Sequence, residues 1–134
     1  PTEKIEKVYN LKGAKGAISI AYAPEEKLLF VVSQSTDNLQ ILDATDGKLK
    51  ADVKVGAGPL AVVWEPVRKL AYVANRGSDS VAVVDVNGNL VANLPGGSYA
   101  NHVFTDGKGT VWSVNKARGL NDPQGDHISR YAAK

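Results

Sequence analysis

Between Pro59 and Leu94 the apolar residues come in four short bursts, "PLAVVW", "LAYVAN", "SVAVVDV" and "NLVANL", each closed by polar, glycine or proline positions. Bursts of this length suit strands and leave no room for a helix. Asn87-Gly88 within this stretch, like Asp46-Gly47 before it, supplies residues that tolerate positive φ in a tight hairpin, so neighbouring strands are expected to pair antiparallel as a meander.

The same grammar occurs earlier in the chain. A shift of about forty-two residues lays Pro24 on Pro66, Phe30 on Tyr72, Leu42 on Val84 and Asp43 on Asp85, a period in the range of propeller blades. A looser third copy follows, with Trp112 in the aromatic place of Phe30 and Tyr72, "DGKG" in place of the proline turn, and Asn115 where Asn75 stood. An antiparallel sheet with one wet face alternates apolar and polar residues, yet "LLFVV" and "VAVV" are apolar at consecutive positions. Both faces must therefore be covered. Without helices the cover is another sheet on each side, which radially stacked blades provide. The expected fold is all-β: a β-propeller segment of about three blades, each a four-stranded antiparallel meander. The blades fall at 16–55, 58–95 and 99–134, the last without its outermost strand, and Lys4–Lys12 reads as the outer strand of a preceding blade.

Composition agrees with a globular chain. In 134 residues, 43% are apolar and 22% charged, and no apolar run is long enough to span a bilayer. The absence of cysteine removes disulfides, thiolate metal sites and a cysteine nucleophile, and a net charge of +2 is too small to argue for a polyanionic partner without a local cluster. The chain also lacks methionine, which suggests a processed or excised piece.

"LAYVANRGSDSVAVVDVNGNLVANL", with "YVAN" after an aromatic-bearing strand and "VVD" before the next turn, resembles the YVTN-repeat β-propellers. The stretch from "GPLAVVWEPVRKLAYVANR" to "DHISRY" is most similar to the C-terminal blades of the YncE-like exported bacterial members. The resemblance implies a periplasmic or otherwise extracytoplasmic location and a seven-bladed ring of which this chain is the C-terminal part. In such rings the last strand commonly comes from the distant N-terminus. The strand Lys4–Lys12 could instead fill that gap, in the same copy or in a neighbouring one. Two unfinished faces and an unpaired edge favour association, with the remaining blades of the same propeller or with another copy.

Blade geometry gathers the loops "KGAKG", "GAGP" and "PGGSY" with "SQSTD", "NRGSDS" and the long "NKARGLNDPQGD" on one face, which in the family usually carries ligands. Asn75, Arg76, Asn115, Lys116 and Arg118 collect there, with Asn101 and His102 at the start of the last inner strand. Arg76 and Lys116 hold the same repeat position and should be neighbours, forming either an anion-binding arc or solvated charge paired with Asp79. His102 is aligned with Val62 and Ile20, so that a ring replaces an aliphatic side chain. It reads either as a channel contact or as a histidine satisfied by a carbonyl or water. Asn121, Asp122 and Asp126 of the long insert lack EF-hand spacing. Asp43 and Asp85 read as carboxylates bonded to their own turns.

No Ser-His-Asp order, phosphate-cradling glycine loop or metal-ligand spacing is visible, so neither catalysis, a metal nor a cofactor is expected from this segment. The leading reading is a non-enzymatic binding scaffold whose loop face takes a ligand such as single-stranded DNA or an acidic small molecule. Two other classes stay open: an enzyme or electron-transfer propeller, lactonase-like among them, with its site completed by other blades, and a structural surface-layer module.

Overall fold

The structure, a computed structural model, describes residues 2–133. Three antiparallel sheets follow one another along the chain. The first holds β1 (Ala17–Ala23), β2 (Leu28–Ser33), β3 (Asn38–Asp43) and β4 (Leu49–Lys54) in sequential order. The second repeats the design with β5 (Pro59–Glu65), β6 (Leu70–Asn75), β7 (Ser80–Asp85) and β8 (Leu90–Pro95). The third, among the described residues, has three strands, β9 (Ala100–Thr105), β10 (Thr110–Asn115) and β11 (Ile128–Ala132), with β10 in the middle. Among the described residues the only helical element is a single 3₁₀ turn, Arg76–Ser78.

The consecutive apolar residues sort into two separate cores. From the middle sheet, Ala71, Val73, Ala82 and Val84 face the first sheet and meet Phe30, Val32, Leu39 and Ile41. Their immediate neighbours Tyr72, Ala74, Val81 and Val83 face the third sheet and meet Ala100, Val103 and Val111. A period-2 backbone sends alternate side chains to opposite faces, so a strand apolar on both is one sandwiched between two other sheets. At the centre of the first joint the rings of Phe30 and Trp64 stack, their centroids 5.1 Å apart and their planes 18° from parallel.

Residues 4–12 form no strand. A strand needs a ladder partner, and among the described residues this segment has none. The segment is nonetheless placed where an outer strand belongs. The Tyr9 hydroxyl donates to the Thr45 carbonyl at 3.1 Å, and the Gln40 amide donates to the Lys12 carbonyl at 2.6 Å. A Cβ at Gly88 would strike Ala51 of the preceding sheet's outer strand, and one at Gly47 would strike Tyr9, so Tyr9 sits against the first sheet as Ala51 sits against the second. The segment does not pair with β11 of its own copy.

Candidate functional site: a basic rim around Tyr99

The loops between second and third strands meet the loops that enter each sheet. Gln34, Arg76 and Lys116 each donate their backbone N–H to the residue that opens their own sheet, to the carbonyls of Gly16, Gly58 and Tyr99 at 2.9, 3.0 and 3.2 Å. The equivalence of Gln34, Arg76 and Lys116 is thus a matter of backbone register. All three openers have positive φ, +70° at Gly16, +59° at Gly58 and +52° at Tyr99. Glycine takes that conformation without strain; a tyrosine there must be held.

Tyr99 is held by its neighbours. Its N–H donates to the Asp79 carboxylate at 2.8 Å, and two guanidinium groups lie over its ring, Arg76 at 4.7 Å and Arg118 at 4.6 Å from the centroid. Arg118 also bonds Asp79 at 2.5 Å. Burial pushes the Asp79 carboxyl up, but the Arg118 hydrogen bond and the Tyr99 N–H outweigh it and hold the acid below its ordinary range, while the same bond raises Arg118. Asp122 is lowered too, chiefly by the Arg118 backbone N–H. Arg76, Lys116 and Arg118 are all exposed. The three cations therefore collect at one place, the junction of the second and third sheets, and the acid partner Asp79 belongs to Arg118, not to Arg76 or Lys116.

Asn75 and Asn115 do not join them at the surface. Both are buried, Asn75 donating to the Ser80 hydroxyl and Asn115 bonding the Gln124 carbonyl and the His127 N–H across the long loop. They brace the rim from beneath. Asn101 is half-buried and is the extra residue of a bulge between Ala100 and His102.

The ladder also corrects the alignment of His102. Ala100 pairs with Asn115 and His102 with Val114, as Pro59 pairs with Asn75 and Ala61 with Ala74. His102 is the equivalent of Ala61 and Ser19, while Val103 takes the place of Val62 and Ile20. No aliphatic core position was given up. His102 is exposed on the open face of the third sheet, beside Phe104, Trp112, Val114 and Ile128, away from the rim.

Asp43 and Asp85 bond their own turns, accepting from the N–H groups of Thr45 and of Asn87 and Asn89 respectively, with oxygens 2.8 to 2.9 Å away. A different acidic series carries the joints. Asp37 and Asp79, both left-handed at φ 53°, accept from the N–H groups of Gly58 and Tyr99, each at 2.8 Å. Each carboxylate ties its sheet to the opening residue of the next. Their separation of forty-two residues was visible in the sequence, one repeat apart, but an acid inside a polar loop gives no sign that it reaches the following blade.

The Asp79 bonds give the rim a pH dependence of definite sign. A carboxyl lowered in the folded state adds stability that is fully present above its ordinary value of 3.8 and is lost as pH falls through the lowered value. The urea midpoint of the native chain is expected to exceed that of Asp79→Asn by a constant margin between about pH 5 and 7, with the margin closing below about pH 4. A margin independent of pH down to the acid limb would remove the Asp79 charge from the rim's cohesion.

No family model matches the chain, and no curated protein does. Among solved structures it is similar to hydrazine synthase of Kuenenia stuttgartiensis, with a TM-score of 0.77 and 23% identity over 97% of this chain and 36% of that one. It is also similar to a nidogen/laminin complex, with a TM-score of 0.75 and 14% identity over 94% of this chain and 48% of that one. The chain spans less than half the length of either neighbour. At such identities the likeness shows the fold alone, and with the three stacked meanders it defines an all-β propeller segment. Among the described residues no helix is long and apolar enough to cross a membrane.

Proposed function

We propose that this chain is a non-enzymatic binding scaffold, of the exported, YncE-like kind with YVTN repeats, acting in the periplasm and taking an anionic ligand on its basic rim. The convergence of Arg76 and Arg118 on Tyr99, with Lys116 bonded to the same residue, is the observation that carries the reading. The two guanidinium groups come from two different sheets and are held over one ring at the blade joint, and Lys116 is fixed beside them through its backbone. Such preorganisation lowers the ordering cost of binding. With both guanidinium groups over the ring, Tyr99 serves to position charge, and phosphate or carboxylate is bound in preference to a stacked base.

Single-stranded DNA is the test ligand, because its flexible backbone can follow a curved rim. Arg118 is partly neutralised by Asp79, leaving Arg76 and Lys116 to contact about two phosphates. Log affinity is expected to fall against log salt with a slope near −1.4, and Arg76→Glu with Lys116→Glu is expected to flatten that slope by about the same amount. Little base preference is expected, since phosphate contacts carry no sequence information. Equal affinity and slope in the native and doubly reversed proteins would overturn the rim reading, and turnover of a lactone would overturn the scaffold reading.

A further inference from the structure

We propose that Asp79 is a built-in competitor at the basic rim: its carboxylate fills the place on Arg118 that an anionic ligand would take, and so withholds the third cation from that ligand. This regulation rests on the anion reading of the same site. It concerns one carboxylate oxygen, because the two oxygens of Asp79 have separate tasks.

The Asp79 Oδ1 accepts the Tyr99 N–H at 2.8 Å, and Oδ2 accepts from the Arg118 guanidinium at 2.5 Å. Only the first of these belongs to the joint. Asp37 makes the corresponding tie between the first and second sheets, left-handed at the same φ of 53°, with its Oδ1 on the Gly58 N–H at 2.8 Å. Its carboxylate meets no cation among the described residues, and the first joint forms without one. The bond to Arg118 is therefore an addition to the tie, made at the joint that carries the basic rim.

Arg118 has supports other than Asp79. Its guanidinium lies over the Tyr99 ring at 4.6 Å, and its backbone N–H donates to Asp122 Oδ2 at 2.9 Å. Asp122 is the nearest acid within the loop, yet both of its oxygens are engaged by backbone, Oδ2 by Arg118 and Oδ1 by the Gln124 N–H at 3.0 Å. Its own backbone is fixed as well, since the Asp122 N–H donates to the Gly119 carbonyl at 3.3 Å and its carbonyl accepts the Gly125 N–H at 3.2 Å. Asp122 is thus committed to the loop and does not replace Asp79 on the guanidinium. Arg76 shows the state that a released Arg118 would share: it lies over the same ring at 4.7 Å, with no acid bonded to its side chain among the described residues. An arginine stacked on an aromatic face presents its N–H fork edge-on, the geometry that carboxylate and phosphate accept bidentately.

The pair also lies where a ligand can reach it. The Arg118 and Asp79 side chains keep 47% and 36% of their surface exposed, and an ion pair so placed contributes little to stability. A weak, exposed bond can be exchanged for a ligand's. Removing the Asp79 charge is therefore expected to act in two directions at once, lowering stability a little and raising affinity for an anion. A bond whose whole task was to brace the loop would lower both. A contact that stabilises the free protein and opposes its binding is a device of function, of the kind in which stability and activity trade against each other.

Salt titration of single-stranded oligonucleotide binding tests this with the native chain, Asp79→Asn and Asp37→Asn, asparagine keeping an oxygen for the tie in both variants. The native slope is expected near −1.4, for about two phosphates, and the Asp79→Asn slope near −2.1, for about three, with affinity raised about fivefold at 0.1 M salt. Adding Arg118→Gln to Asp79→Asn is expected to return the slope to near −1.4. Asp37→Asn alters the equivalent tie where no cation is bonded and is expected to keep the native slope, which separates release of charge from a loosened joint. An Asp79→Asn slope equal to the native one, an affinity that falls, or a gain that survives Arg118→Gln would each overturn the competitor and leave the rim reading standing. Absence of salt-dependent binding in every chain, Asp79→Asn included, would overturn the rim reading itself and the competitor with it.

Discussion

Trp64→Ala is expected to cost about 3–5 kcal/mol, the range for removing a large aromatic side chain from a well-packed core. Trp64 is almost fully buried, lies between the first and second sheets, and stacks on Phe30. The resulting cavity would lie between the first and second sheets, so the site can collapse only by shifting one sheet against the other. The indole N–H has no hydrogen-bond partner among the described residues, which makes the ring's contribution one of packing and stacking. Trp64→Phe keeps an aromatic surface on Phe30 and removes the orphaned donor, so it is expected to retain well over half of what alanine loses. Urea midpoints at one fixed protein concentration, with an unchanged slope, measure both. A loss under about 1 kcal/mol for alanine would show that the two sheets are not joined through this stack.

The same residues show how much of the fold could be read from the chain. The repeat of Phe30 and Tyr72, the hairpin glycines, and apolar runs without alternation were sufficient for three stacked meanders, because each reports a local requirement: a twist-compatible turn, or a strand covered on both faces. The rim was legible in part. Arg76 and Lys116 were placed together by counting repeats, and the count held because both donate to the residue opening their sheet. Counting failed at His102, where the third copy is shorter and only the ladder sets the register. It also failed at Asn75 and Asn115, polar residues in loop-flanking positions that the long-range fold buries under the loops themselves. Lys4–Lys12 was legible as to place and not as to state, since position follows from the repeat but a strand requires a partner outside it. The joint carboxylates Asp37 and Asp79 went unread because their acceptor role belongs to the next repeat.

Glu65→Ala is expected to be as costly as the loss of Trp64, for the opposite reason. Glu65 ends β5 fully buried, a charge in a place where unpaired charge is not tolerated. One carboxylate oxygen accepts the N–H groups of Val67 at 3.2 Å and Gly109 at 2.9 Å, and the other accepts that of Arg68 at 2.7 Å. Arg68 lies 3.7 Å from the same carboxylate, bonds the Gly109 carbonyl and rests over the Tyr72 ring at 5.5 Å. Glu65 and Arg68 of the second sheet thus clamp both backbone polar groups of Gly109, in the hairpin of the third. Removing the carboxylate strands three donors and leaves the mostly buried guanidinium without its counter-charge, a change of about 3–5 kcal/mol. Glu65→Gln keeps the shape and one acceptor but turns an NH₂ toward an N–H, so its loss is expected to fall between those of the native chain and alanine. Hydrogen exchange locates the effect: protection of the Gly109 N–H is expected to drop in Glu65→Ala at denaturant concentrations that leave β2 and β3 of the first sheet protected. The double-mutant cycle with Arg68→Ala is expected to give a coupling of at least about 0.5 kcal/mol, as for groups in one buried network. Additive losses, or Gly109 protection that falls only with the global transition, would show that the second and third sheets are held by apolar burial alone.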